Sequence, residues 1–186
     1  RGAARRVFAV RGFRGTTIAD IAEEARIALG TIYLYFPSKE AVFAALNETL
    51  NDLISGAIAD VAPEGSLRET VRRRVDNVFA VCARNRDLLR LVVLNTDPGS
   101  DVTLRLRRAA DERLRPLVAE FERGVLAGAL RPGDAAIMAR LASGLVSIAV
   151  YQAFVLSDGE AADQYAAECA EMITAYVSPP PSPPVP

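Results

Sequence analysis

The chain has 186 residues, 51% of them hydrophobic, and its 22 Lys and Arg against 23 Asp and Glu give a formal net charge of −1. Such length and apolar content suffice for a sizeable core in one large domain or two small ones, which excludes an intrinsically disordered chain. Histidine is absent and only Cys82 and Cys169 are present; the commonest general base and metal ligand are therefore missing, and neither an enzyme nor a cofactor or metal protein is expected.

The leading segment reads as a helix with Ala4, Val7, Phe8 and Val10 as its apolar side. Its arginines, Arg1, Arg5, Arg6, Arg11 and Arg14, meet no acid before Asp20. The first 45 residues hold seven basic and four acidic side chains, which leaves the remainder acidic by four. That asymmetry suits a basic head on a neutral-to-acidic body, with the arginines either following a DNA flank or forming a solvated helix face. Because the chain opens on Arg1 instead of methionine, the natural protein is expected to start earlier.

Residues 17–25 place Ile18, Ala22 and Ala25 at helical spacings, with Ile21 and Ala19 alongside and Asp20, Glu23 and Glu24 opposite. Thr16 or Thr17 is the expected cap, since a hydroxyl there accepts from an otherwise unpaired amide of the first turn. A turn near Arg26 and Ile27 leads to a second helix over residues 28–35, with Ile32 and Phe36 directed inward and Leu29, Gly30, Thr31, Tyr33 and Tyr35 on the open face. Helices this short are not stable alone. They make sense as a helix-turn-helix, the first crossing a DNA backbone and the second lying in the major groove. Pro37 ends the second helix, because proline disfavours helical backbone in the residue before it. Ser38, Lys39 and Glu40 then open the next, whose free amides suit a phosphate.

From there nearly everything reads as helix. A long connecting helix over residues 38–61 breaks at Ala62-Pro63-Glu64-Gly65, and Ser66 caps the next, over residues 66–83, with Leu67, Val71, Val75, Val78, Phe79 and Cys82 along its apolar side. A shorter helix over 87–95 ends at Asp97-Pro98-Gly99-Ser100. Another over 101–127 contains Pro116, which should kink it by removing one backbone hydrogen bond. Gly128 and Arg131-Pro132-Gly133 end that helix, and Asp134 caps a segment to Leu156 that is apolar almost all round, interrupted by Arg140, Ser143, Ser147 and Gln152. A last amphipathic helix over 160–177 carries Ala162, Tyr165, Ala166, Cys169, Met172, Ile173 and Tyr176 on one side, with Glu168 and Glu171 facing away. Residues 178–186 are mostly proline and read as an extended or disordered tail. The longest apolar run, 141–156, falls short of the roughly 20 residues that span a bilayer, and no signal-peptide pattern is present, so a cytoplasmic protein without membrane contact is expected. Cys82 and Cys169 lie in helical apolar patterns and read as buried, unpaired thiols.

The run RGFRGTTIADIAEEA followed by GTIYLYFPSKEAVF resembles the amino-terminal domain of the TetR family of bacterial transcriptional regulators. The motif covers about a quarter of the chain, roughly residues 7–46. Its glycine and aromatic before a threonine pair, its Tyr-x-Tyr-Phe ending and its Ser-Lys-Glu helix start are far more specific than a bare helix-turn-helix. The resemblance implies an all-α fold: a three-helix DNA-binding head over residues 1–46, then a larger helical ligand-binding and dimerisation body over 47–177, ahead of the tail 178–186. It also implies that Thr17 and Lys39 hold phosphates, that Leu29, Gly30 and Thr31 approach base edges, and that Tyr33 and Tyr35 contact backbone and bases. Two positions depart from the family pattern. Arg26 stands where the family has glycine in the turn, and Ala28 where it has a serine or threonine cap, a loss of about 1 kcal/mol. Arg26 either replaces the lost phosphate contact or is a solvated turn residue. Leu29 is apolar, so its DNA partner would be a thymine methyl group. With few polar base readers, binding should lean on phosphate contacts and DNA shape and weaken steeply with salt.

In the body, a helix apolar on most sides needs more cover than one small chain provides. The last two helices should therefore pair with their symmetry mates in a homodimer, with Ser143, Gly144, Ser147, Tyr165, Cys169, Met172 and Tyr176 at the interface. A small hydrophobic effector, as the family resemblance implies, would be lined by Phe79, Cys82, Leu89, Val93, Leu117, Phe121, Met138, Leu141, Leu145 and Tyr151, with Asn95, Arg140, Gln152 or Tyr151 as polar handles; a filled core without ligand is the competing reading of the same residues. The expected function is that of a dimeric transcriptional regulator, a repressor released from a near-palindromic operator by that ligand. The alternative is a helical ligand-binding or scaffolding dimer whose DNA head is weakened.

Overall fold

A computed structural model describes residues 2–95 and 101–180, and every regular element among them is helical. The elements are α1 (Gly2–Arg11), α2 (Ile18–Ala25), α3 (Leu29–Tyr35), α4 (Lys39–Ala59), α5 (Leu67–Arg84), α6 (Arg86–Leu94), α7 (Asp101–Leu126), α8 (Ala135–Tyr151), a π-helical turn (Gln152–Leu156) and α9 (Ala162–Val177). Expectations for Arg1, for the break at Asp97-Pro98-Gly99-Ser100 and for tail residues 181–186 lie outside the described residues.

Two compact units emerge. The first comprises Arg1–Ser55 and Arg84–Ala110, the second Gly56–Ala83 and Asp111–Pro186. The chain thus returns to the first unit for α6, some eighty residues after α1.

In the first unit, α1 buries Ala4, Val7 and Phe8. Val10, expected on the same side, is 85% exposed; at three residues beyond Val7 and two beyond Phe8 it falls at the outer edge of the stripe. Phe8, Phe13 and Phe43 stack in sequence, with centroids 5.6 and 5.0 Å apart. The half-buried aromatic after Gly12 therefore links α1 to α4, and Gly12 provides the positive φ of 68° that turns the chain out of α1. Between them α2 is capped by Thr17, whose hydroxyl accepts from the Asp20 amide (3.2 Å) while the Asp20 carboxylate accepts from the Thr17 amide (2.8 Å). That reciprocal box satisfies two groups the helix end leaves open. Thr16 is instead buried, its hydroxyl donating to the Gly12 carbonyl.

In the second unit, Ser66 and Glu69 form the same kind of box at the start of α5, and Asp134 accepts from the Ala136 and Ile137 amides to cap α8. Arg74 forks onto Glu120 (2.8 and 3.0 Å) and also donates to the Val61 carbonyl, joining α5 to the second half of α7. Pro116 lies inside α7 without ending it. The expectation of an apolar run too short for a bilayer is corrected here: the π-helical turn prolongs α8, and the continuous segment Ala135–Leu156 of 22 residues is long and apolar enough to cross a membrane by length and composition. Its Met138, Ala139, Ala142, Ala149, Val150 and Phe154 are nonetheless buried within the fold. Cys82 and Cys169 are buried, free thiols, which burial pushes up to about 12 and about 11.

Candidate nucleic-acid interface and the α8/α9 face

The turn between α2 and α3 sets the direction of the second helix. Arg26 adopts the left-handed conformation (φ 55°, ψ 43°), and its amide donates back to the end of α2. A side chain there costs about 1 kcal/mol relative to glycine, so the departure from the family pattern at this position is a real local strain. Ala28 occupies the cap of α3 and makes no side-chain bond to it, as its lack of a hydroxyl requires.

Of the seven residues of α3 only Ile32 is buried. Phe36, expected to point inward, is the C-cap and half-buried. Leu29 is 44% exposed, Tyr33 51% and Tyr35 75%. Thr31 is half-buried, while Thr17, Arg26, Ala28 and Gly30 are exposed. A Cβ built on Gly30 would meet nothing within 4 Å, so the glycine is not required by the packing of this chain. Leu34, which sequence reasoning did not place on the open face, is 82% exposed. The helical period could have found it, since residue 34 lies on the side away from Ile32.

Charge around this surface is partly committed. Arg5 forks onto Asp87, its Nε donating at 2.6 Å, and also donates to Asn85 Oδ1 at 3.2 Å. This pair lowers the Asp87 carboxyl below its ordinary range and raises the Arg5 guanidinium. Arg6 pairs with Glu24 and Arg11 with Asp20. Hydrogen bonds from the Thr17 backbone and side chain, with Arg11 nearby, hold Asp20 below its usual range. Three of the arginines unopposed in sequence, Arg5, Arg6 and Arg11, thus find acids supplied by α2 and α6. Lys39, given to a phosphate by the family resemblance, donates to the Phe13 carbonyl at 2.9 Å and lies 4.6 Å from the Phe13 ring centroid. Arg14 and Arg26 are exposed and make no ion pair among the described residues.

In the second unit, Ile137, Leu141 and Ile148 are 54, 56 and 50% exposed on one stripe of α8, with Gly144 open between them and Met172 of α9 55% exposed. A groove of about 450 Å³ runs along α8 and α9, its lining including Leu145, Ile148, Gln152, Tyr165, Cys169 and Met172. Of the residues expected at a dimer interface, Gly144, Ser147 and Met172 are exposed, Ser143, Tyr165 and Tyr176 half-buried, and Cys169 buried. Arg131 packs over the Tyr176 ring (4.4 Å) and donates to its carbonyl.

The residues expected to line an effector cavity divide between the units. Leu89 is buried and Val93 half-buried in the first unit. In the second, Phe79, Cys82, Phe121 and Met138 are buried, with Phe79 stacked on Phe154 at 5.7 Å, while Leu117, Leu145 and Tyr151 are half-buried. Leu141 lies on the exposed stripe. Among the polar handles, Asn95 donates to the Leu91 carbonyl and Arg140 reaches Asp111 at 3.4 Å.

Comparison with known proteins adds to this geometry. Residues 2–46 match the family described as bacterial regulatory proteins, tetR family. The fatty acid metabolism regulator protein of Bacillus subtilis is 26% identical over 133 residues, 71% of this chain and 66% of that protein. The transcriptional regulator RutR of Escherichia coli is 32% identical over 78 residues, 40% of this chain and 37% of its own length. The chain thus spans less than two thirds of either relative. Among solved structures, FadR from Bacillus subtilis in complex with stearoyl-CoA superposes with a TM-score of 0.79 at 20% identity, covering 94% of this chain and 96% of that one.

Proposed function

We propose that this chain, whose residues 2–46 match the tetR family of bacterial regulatory proteins, is a cytoplasmic homodimeric repressor that binds DNA through its helix-turn-helix and is released from a near-palindromic operator by a hydrophobic effector. In this reading residues 1–46 are the DNA-binding head, 47–177 the ligand-binding and dimerisation body, and 178–186 a tail. The observation that carries it is the half-exposed apolar stripe Ile137, Leu141 and Ile148 beside Met172, on a chain whose recognition helix is also open. A second copy on that stripe removes the isoleucines and leucine from water and gives two heads related by a twofold axis, which is what two half-sites require.

The buried side chains Phe79, Cys82, Phe121 and Met138 are apolar, the chemistry that a hydrocarbon effector would meet. The likeness to a fatty acid metabolism regulator and to a structure holding stearoyl-CoA supports the acyl-CoA class in particular. For release to follow, the effector must bind the DNA-free conformation better, since equal affinity for both states shifts nothing. The test is a footprint on DNA flanking the protein's own gene, repeated with acyl-CoAs of graded chain length and with the free acids. Protection of two symmetric half-sites, lost with one chain-length class, is expected. Protection that every compound leaves intact would remove the effector from the scheme, and absence of any protected site at low salt would remove the repressor.

A further inference from the structure

We propose that this protein reads its operator through the 5-methyl groups of thymine, with Leu34 and Leu29 as the side chains that set specificity; the proposal rests on the reading of the head as a DNA-binding domain. Successive residues of a helix are rotated by about 100°, so Leu34 lies about 200° from Ile32 and faces away from the core that Ile32 enters. Its 82% exposure agrees. Gly30 lies one turn earlier on the same ridge, with open space where a side chain would be. The ridge that leads α3 into a groove therefore consists of a glycine and a leucine, flanked on one side by Leu29, 44% exposed. None of the three offers a side-chain donor or acceptor.

The chemistry of base edges follows from that. In the major groove thymine alone presents a methyl group, whereas guanine, cytosine and adenine present polar edges. A leucine pressed against a polar edge strips its water and returns no hydrogen bond, while against a methyl group both partners leave water. Arg14 and Arg26, exposed and without an ion pair among the described residues, can add attraction to phosphates, but phosphate contacts carry no sequence information. The hydroxyls of Thr31, Tyr33 and Tyr35 remain the polar readers on the flanks.

The experiment measures affinity of the full chain for its footprinted operator at one fixed salt concentration, with each thymine replaced in turn by uracil, which removes only the methyl. One or two positions per half-site should lose about fourfold each, the worth of one buried methyl. In Leu34→Ala or Leu29→Ala protein the same uracil should then have no further effect. Leu34 is solvent-exposed, so its alanine variant should melt as the parent does. Where a cytosine pair replaces the sensitive thymine pair, 5-methylcytosine should recover binding relative to cytosine. Tight binding that ignores uracil at every position overturns the proposal and leaves the DNA-binding reading intact. Uracil sensitivity that persists in both leucine variants also overturns it. Failure of the parent protein to bind any duplex overturns both.

Discussion

The recognition helix α3 and the outer stripe of α8 both hold leucine or isoleucine in water, yet their surroundings differ. Around Leu29 and Leu34 on α3 stand the hydroxyl-bearing Thr31, Tyr33 and Tyr35 and a bare glycine. Around Ile137, Leu141 and Ile148 they are small residues and the apolar Met172. A narrow apolar ridge bordered by hydroxyls fits a groove with methyl groups and polar base edges on its floor. A stripe extending over three turns, with small residues that permit close approach, fits another helix. The lesson is that exposed apolar area has no meaning until the charge and shape at its border are known.

The sharpest way to break this comparison is to place a charge on the α8 stripe. If the proposed dimer closes on this stripe, Leu141→Glu should leave a monomer in sedimentation velocity while helix content is unchanged, and affinity for the proposed operator should fall by about 100-fold as the two heads lose their linkage. A variant that stays dimeric would show that the subunits meet elsewhere. Gly30→Ala tests the other surface. Alanine is the better helix former by about 0.5–1 kcal/mol and meets no atom in the free protein, so the melting temperature should rise. Operator affinity should nevertheless drop by about tenfold, because the added methyl stands where the helix must approach the base edges closely. Unchanged affinity would mean that the Gly30 ridge is not the leading edge.

The smallest expected effect concerns the scaffold behind that edge. Arg5 holds the Asp87 carboxyl below its ordinary range. A carboxyl with a folded pKa below its unfolded one contributes stability that is fully present above the unfolded value, near 4, and lost as pH falls through the folded value. Asp87→Asn should therefore cost at most about 1 kcal/mol at pH 7, the range for a partly exposed pair. In urea titrations the gap between variant and parent should narrow as pH falls below about 4 and through the folded value. A gap that persists in acid would assign the loss to packing of Asn85 and α6 instead of to the ion pair.

Much of the head was legible because its signals are local. Thr17 and Asp20 stand three apart, Pro37 is a fixed stop, and Ile32 announces the buried side of α3 by helical period alone. Val10 and Phe36 were misplaced for a related reason, since both sit at the edge of a stripe where period cannot separate buried from half-buried. Leu34 was passed over although its spacing from Ile32 placed it outward, because an apolar residue is read by default as core. The partners of Arg5 could not be read at all: Asp87 and Asn85 lie about eighty residues away, and nothing in the order of residues says that α6 returns to the unit that contains α1.

The sequence by itself determined that the chain is helical, where the head's helices start and stop, and which family they resemble, because caps, breakers and apolar periods act within a few residues of one another. The tertiary structure decided which arginines are already spent on acids, that Lys39 is held by Phe13, that Leu34 stands outermost, and that one stripe of α8 remains uncovered. Those outcomes depend on which elements meet in space, and burial and pairing are properties of the meeting and not of either element alone.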